Sequence, residues 1–181
     1  MKHVLVILAK GFEEIEAIAP IDILRRAKMD VTVAGVGALE IVSSHGLTIH
    51  CDKKVEDCEK VWDCVVLPGG MPGAAHLAAS WPVNQILIST AVTGNYIAAI
   101  CASPAVVLGP AGLLENKQAV CYPGMEEAFP DFNFSKERLV VSENLITARG
   151  PGVALDFGFK IVEELTGDKT LVEELKKGMI Y

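Results

Sequence analysis

The sequence predicts an α/β protein with a doubly wound, mostly parallel sheet and helices on both of its faces. Two observations carry that prediction. Apolar runs of strand length, His3 to Leu8, Val31 to Val36, Val61 to Leu67 and Tyr96 to Ile100, lack polar alternation, as strands buried on both faces do. Between them lie stretches whose apolar residues recur near the helical period, so strand and helix alternate along the chain. With 181 residues, 51% of them hydrophobic, the chain is most simply one domain spanning residues 1–181.

Taken in order, the strand His3 to Leu8 is broken by Lys10-Gly11-Phe12 before a helix reaching about Lys28. Ile15, Ile18, Ala19, Leu24 and Ala27 form its apolar stripe, and Glu13, Glu14 and Glu16 crowd its first turn, where acids complement the helix dipole. After Val31 to Val36, the runs Ile41 to Ser43 and Leu47 to Cys51 flank Ser44-His45-Gly46 as a hairpin. Val61 to Leu67 ends in Pro68-Gly69-Gly70, and Ser80-Trp81-Pro82 opens a helix carrying Val83, Ile86, Leu87 and Ala91. Tyr96 to Ile100 leads into Cys101, and Ser103-Pro104 starts another helix. Ala119 to Tyr122 reads as a short strand, and Leu139 to Val141 with Leu145 to Thr147 as a hairpin. Arg149-Gly150-Pro151-Gly152 opens a helix to about Leu165, and Lys169 to Lys177 forms a final amphipathic helix.

Charge and cysteine usage bound the function. A formal net charge of -7 argues against an extensive footprint for nucleic acid or anionic membrane. No segment approaches the roughly 20 apolar residues of a membrane span, and no signal-peptide pattern opens the chain, so the expected location is cytoplasmic. The cysteines are Cys51, Cys58, Cys64, Cys101 and Cys121, without close C-x-x-C spacing, and reduced thiols are expected. His45, His50 and Cys51 lack further ligands at metal spacing, so no metal site is expected.

The residues offer one candidate site, with two readings at each position. Cys101 sits at a strand-to-helix corner, where a nucleophile elbow lifts a side chain off the sheet beside the following backbone N–H groups. A helix N-terminus there would lower the thiol pKa. The alternative is a small buried hydrophobe, a common role for free cysteine. Glu16 is either dipole complementation, common for first-turn acids, or a functional acid near the end of the first strand, where α/β proteins place their ligand crevice. Gly69-Gly70 either makes a turn or lets backbone N–H groups approach a ligand.

Four segments together, Ala9-Lys10-Gly11-Phe12-Glu13-Glu14-Ile15-Glu16, Val66-Leu67-Pro68-Gly69-Gly70, Ala98-Ala99-Ile100-Cys101-Ala102-Ser103-Pro104 and Thr147-Ala148-Arg149-Gly150-Pro151-Gly152, resemble in order and spacing the ThiJ/PfpI superfamily. The branch resembled is that of the human parkinsonism-associated protein deglycase. The resemblance spans nearly the whole chain and implies a flavodoxin-like fold and a homodimer. It also implies that Cys101 is the reactive cysteine, Glu16 its hydrogen-bonding acid, and Gly70 and Ala102 the backbone donors of an anion pocket. Two departures bear on mechanism: Tyr122 stands where the human branch has a histidine, and Ala102 where the protease-like branch has one.

The activity so implied is a cysteine-dependent glyoxalase or deglycase. It would convert methylglyoxal, or its early adducts on amines and thiols, to lactate with neither metal nor glutathione. The alternative is a redox-sensing stress protein or chaperone in which Cys101 oxidises to a sulfinate held by Glu16. A cysteine amidase or protease comes third, for want of the adjacent histidine. A thiamine-biosynthetic role has no support in these residues.

Overall fold

A computed structural model of the chain describes residues 1–59 and 61–181. Its centre is a seven-stranded sheet built from β1 (His3–Leu8), β2 (Asp30–Gly35), β5 (Lys53–Lys54), β6 (Cys64–Leu67), β7 (Tyr96–Ile100), β10 (Leu139–Ser142) and β11 (Leu145–Ala148). The strand order is β10-β11-β7-β6-β1-β2-β5, and every neighbouring pair is parallel except the hairpin of β10 with β11. From β1 the chain winds outward through β2 and then returns to β6 on the other side of β1. The ends of β1 and β6 therefore frame the switch point where such sheets open a crevice. This is the flavodoxin-like arrangement expected of the sequence.

Both faces of the strands are buried, which is why they read as unbroken apolar runs. Val4, Val6, Leu8, Val66 and Ile100 point to one face, packed with Ile23, Leu24, Phe157 and Ile161 of α1 (Glu14–Arg26) and α4 (Ala154–Thr166). Leu5, Ile7, Val65, Leu67 and Ile97 point to the other, against Leu77 of α2 (Gly73–Ala79) and Val83 and Leu87 of α3 (Trp81–Val92). Outside the main sheet, β3 (Glu40–Val42) pairs with β4 (Thr48–His50) as the antiparallel hairpin, turning through Gly46 at φ +89°. The chain ends in α5 (Lys169–Gly178), anchored by the buried Val172. No helix among the described residues is long and apolar enough to cross a membrane.

Several sequence expectations are corrected, each for a local reason. Glu13 stands outside α1 as its N-cap, with its carboxylate accepting from the Glu16 N–H at 2.8 Å, so only Glu14 and Glu16 lie in the first turn. The strand expected from Val61 begins only at Cys64. Trp62 gives its indole N–H to the Glu59 carbonyl at 2.9 Å, and Asp63 uses its carboxylate on the His3 N–H at 2.7 Å. The helix α2 has no counterpart in the sequence reading, because Pro72 and Gly73 look like loop. Of the strand expected at Ala119 to Tyr122, only Ala119 pairs, within β8 (Gln118–Ala119) against β9 (Asn133–Phe134), while the next N–H, that of Val120, goes to Thr147 Oγ1 at 3.0 Å.

Candidate active site

Cys101 closes β7 and turns there with φ +65°, a left-handed conformation that costs a β-carbon residue and is held by its surroundings. Its N–H donates to the Ala148 carbonyl at 2.9 Å, and its carbonyl accepts from the Tyr122 N–H at 2.8 Å. Ser103, a helix start by sequence, caps nothing: its hydroxyl donates to the Pro68 carbonyl at 2.6 Å, tying the elbow to the glycine loop after β6. The segment after the elbow, Pro104–Leu108, is a π-helical turn of five residues.

Across the crevice, Glu16 is wholly buried in the first turn of α1. One carboxyl oxygen, Oε2, accepts from the Gly69 N–H at 2.8 Å, while Oε1 has no partner within hydrogen-bond distance among the described residues. Gly69 is the meeting point. A β-carbon built on it would lie 2.7 Å from Cys101 Cβ and 2.9 Å from both the Ala102 nitrogen and Glu16 Oε2. Only a residue without a side chain fits there. Gly70 adopts φ +85°, where a β-carbon would lie 2.6–2.9 Å from the backbone of Gly11 to Glu13, and its N–H acts on the Cys101 sulfur. The structure thus brings together Cys101, Glu16, Gly70 and Ala102. It adds Gly69 and Ser103, whose roles are close approach and loop pinning and leave no signal beyond the tandem glycine and a generic helix-start serine.

The expectation of a lowered Cys101 pKa is corrected. Burial pushes the thiol up to about 12, the nearby Glu16 charge adds to the rise, and the Gly70 and Ala102 N–H groups act the other way. Cys101 is only 8% exposed, so burial outweighs the backbone N–H groups of the helical turns that follow it. Burial likewise pushes Glu16 up to about 7, against the neighbouring Cys101 thiol and the Gly69 N–H. These are two steps of one coupled pair: the first proton leaves near neutrality and the second only in strong alkali, so between them thiol and carboxyl share one proton and one negative charge.

Glu14 takes no part in this corner. Its carboxylate, though buried, accepts from the Ser43 hydroxyl, the Ser44 hydroxyl at 3.2 Å and the His45 N–H at 2.7 Å, and it pairs with His45 Nδ1 at 2.7 Å. Burial alone would raise it, but His45 and Ser43 outweigh burial and hold it down at about 2. Ligand atoms of Glu13, Glu14 and His45 lie within 4.8 Å of one another, a grouping hidden from the sequence because 31 residues separate Glu14 from His45. The oxygens of Glu14 are already taken by these donors, and Glu13 caps the helix. Among the other histidines, His3 pairs with Asp30 at 2.9 Å and His76 bonds the Lys10 carbonyl at 2.8 Å.

A buried thiol on a strained elbow, a protonatable acid beside it and two backbone donors aimed at its sulfur define a class of α/β protein with a cysteine site at the sheet's switch point. Residues 2–164 match the DJ-1/PfpI family, and the chain belongs to it. It is 42% identical over 183 residues to Protein dj-1beta of Drosophila melanogaster, covering 99% of this chain and 97% of that one. It is 43% identical over 167 residues to Protein DJ-1 homolog B of Arabidopsis thaliana, covering 91% of this chain but only 38% of that longer protein. A relative named Glutathione-independent glyoxalase DJR-1.2, from Caenorhabditis elegans, is 32% identical over 167 residues, covering 91% of this chain and 88% of that one. Among solved structures, a cysteine-to-alanine mutant of a DJ-1 superfamily protein from Salmonella typhimurium superposes with a TM-score of 0.97 at 36% identity, covering 100% of this chain and 99% of that one.

Proposed function

We propose that the protein is a cysteine-dependent, glutathione-independent glyoxalase acting on methylglyoxal or its early adducts. The observation that carries this reading is Glu16, a wholly buried acid that holds its proton to about pH 7 and has one oxygen unpartnered beside the Cys101 thiol. The name of the Caenorhabditis elegans relative supports it.

In this reading the Cys101 thiolate adds to the aldehyde carbon, and the Gly70 and Ala102 N–H groups meet the developing oxyanion, which takes the Glu16 proton. The Glu16 carboxylate then removes the hydrogen on that carbon and returns it to the neighbouring carbon through an enediol, leaving a lactyl thioester. Water hydrolyses the thioester, releasing lactate and restoring the thiolate. Overall, one water is added, and no electrons leave the substrate. The test is incubation with methylglyoxal without glutathione. Lactate that forms with the parent protein and vanishes with Cys101→Ser supports the reading; equal lactate from both overturns it.

The unpartnered Glu16 oxygen favours a second reading, in which Cys101 oxidises and Glu16 donates a hydrogen bond to the sulfinate. For assembly, the proposal is a homodimer. On α1 Ile15 is 55% and Ile18 41% exposed, and Leu47 of the hairpin turn, 56% exposed, lines the same apolar surface. A cytoplasmic location is proposed with it.

A further inference from the structure

Cys121 is a second buried thiol beside the elbow, and the chemistry above gives it no task. It is 4% exposed, and its Sγ lies 3.8 Å from Glu126 Oε2. Burial and the Glu126 charge push the thiol up to about 12, with the Arg149 charge acting the other way, so it needs a base at hand to react, and Glu126 is that base. The backbone ties it to Cys101. Tyr122 N–H donates to the Cys101 carbonyl at 2.8 Å, while Val120 N–H and Cys101 N–H bond Thr147 Oγ1 and the Ala148 carbonyl of the same strand, β11. A carbonyl, a hydrogen bond and an amide bond at ordinary angles place the two α-carbons roughly 5–6.5 Å apart. Disulfides span about 4.4–6.8 Å. The other thiols lie out of range. Cys64 is in register with Tyr96 at the opposite end of β7, roughly 16 Å away along the strand, and Cys51 and Cys58 flank β5, four strand positions or roughly 19 Å from β7.

We propose that Cys121 is a resolving thiol that captures oxidised Cys101 in an intramolecular disulfide. The oxidant is a hydroperoxide. The Cys101 thiolate attacks the outer peroxide oxygen, the O–O bond breaks, and an alcohol or water leaves with the Glu16 proton, so that sulfur is oxidised to sulfenic acid and the peroxide is reduced. Cys121 then passes its proton to Glu126 and attacks the Cys101 sulfur. The S–O bond breaks, and hydroxide leaves as water with that proton. In sum, two thiols and one hydroperoxide give one disulfide, one alcohol and one water. The consequence is a reversible stop on the nucleophile that keeps it from the irreversible sulfinate. This rests on the proposed role of Cys101 as the nucleophile.

The reduced protein is treated with an excess of hydrogen peroxide, enough for two oxidation steps per thiol, its remaining thiols are blocked with iodoacetamide, and peptides are mapped without reductant. The expected result is a peptide linking Cys101 to Cys121, with lactate formation lost and then restored by dithiothreitol. Cys121→Ser should form lactate like the parent before peroxide, then accumulate sulfinic acid on Cys101 that dithiothreitol does not reverse. Sulfinic acid on Cys101 of the parent protein with no link to Cys121 overturns the resolving role and leaves the nucleophile standing. Oxidation of other thiols with Cys101 untouched overturns both. The map of the parent protein decides the matter even if the variant folds poorly.

Discussion

Cys101 and Glu16 face each other across Gly69, so closely that a single methyl group on that glycine would begin 2.7 Å from the cysteine's Cβ and 2.9 Å from the carboxyl oxygen. The contact explains why the turn after β6 must be glycine although its φ is not in the left-handed region. Gly69→Ala should push the elbow and the acid apart, costing about 1–3 kcal/mol of stability and lowering lactate formation by about a hundredfold or more. Gly150→Ala is the control, because a methyl there meets the Tyr122 ring at an ordinary 3.4 Å. Urea unfolding and lactate assays on both variants check this, and equal behaviour would show that the close approach over Gly69 is unimportant.

The shared proton of the pair sets the pH dependence of the thiol. Burial and the Glu16 charge push the thiol up to about 12, so alkylation of Cys101 should still be rising at pH 10, above the ordinary cysteine value of roughly 8.5. Glu16→Gln removes the charge that adds to this rise but leaves the burial, so the midpoint should move downward while staying above the ordinary cysteine value. Lactate formation should fall about a hundredfold, because an amide cannot carry the proton between carbons. Iodoacetamide kinetics between pH 5 and pH 10, read peptide by peptide, separate Cys101 from the partly exposed Cys58. A midpoint unchanged in the variant would remove Glu16 from the chemistry.

The proposed dimer has an equally direct test. Placing a charge in the middle of the exposed Ile15, Ile18 and Leu47 surface, as Ile18→Lys, should weaken self-association without touching the core, since Ile18 is 41% exposed. Light scattering at micromolar concentration should give a dimer mass for the parent and a monomer mass for the variant. A parent protein that is already monomeric would sink the assembly proposal and leave the chemistry of the single chain unaffected.

The strands were legible because burial on both faces leaves no polar alternation, and Val4 to Leu8 divide cleanly between the two cores. Cys101 and Glu16 stood out because each breaks a local pattern, a thiol at a strand end and an acid beside an apolar stripe. What stayed illegible was long-range. Nothing local to Glu14 announces that Ser43, Ser44 and His45 converge on it, so Glu13 and Glu14 read alike as dipole complements although one caps the helix and the other latches the hairpin. The direction of the Cys101 shift was missed for the same reason. Sequence spacing suggested a helix N-terminus, whereas the pKa follows burial and the charge of a residue 85 positions earlier.

Glu14 and Glu16 give the last prediction, because neighbouring acids in one helix turn should shift stability with pH in opposite directions. Glu14 is held at about 2, below its ordinary 4.5, so its stabilising contribution is complete above pH 4.5 and disappears as pH falls toward 2, on the order of 3 kcal/mol in all. His45, raised by its hydrogen bond to Glu14, adds to the latch below about pH 6.5 and loses that contribution as pH rises through its own raised pKa. Glu16 behaves oppositely. Its folded pKa of about 7 means that the folded chain keeps a proton the unfolded chain gives up, so stability falls between pH 4.5 and 7 by a similar amount and is level above. Relative to the parent, Glu14→Gln should therefore be most damaging above pH 4.5 and nearly neutral at pH 2. Glu16→Gln should gain on the parent as pH rises from 4.5 to 7. Urea unfolding of the three proteins at pH 3, 5 and 7.5 measures both differences, and parallel curves for the two variants would mean that the acids share one environment, contrary to the hydrogen bonds that separate them.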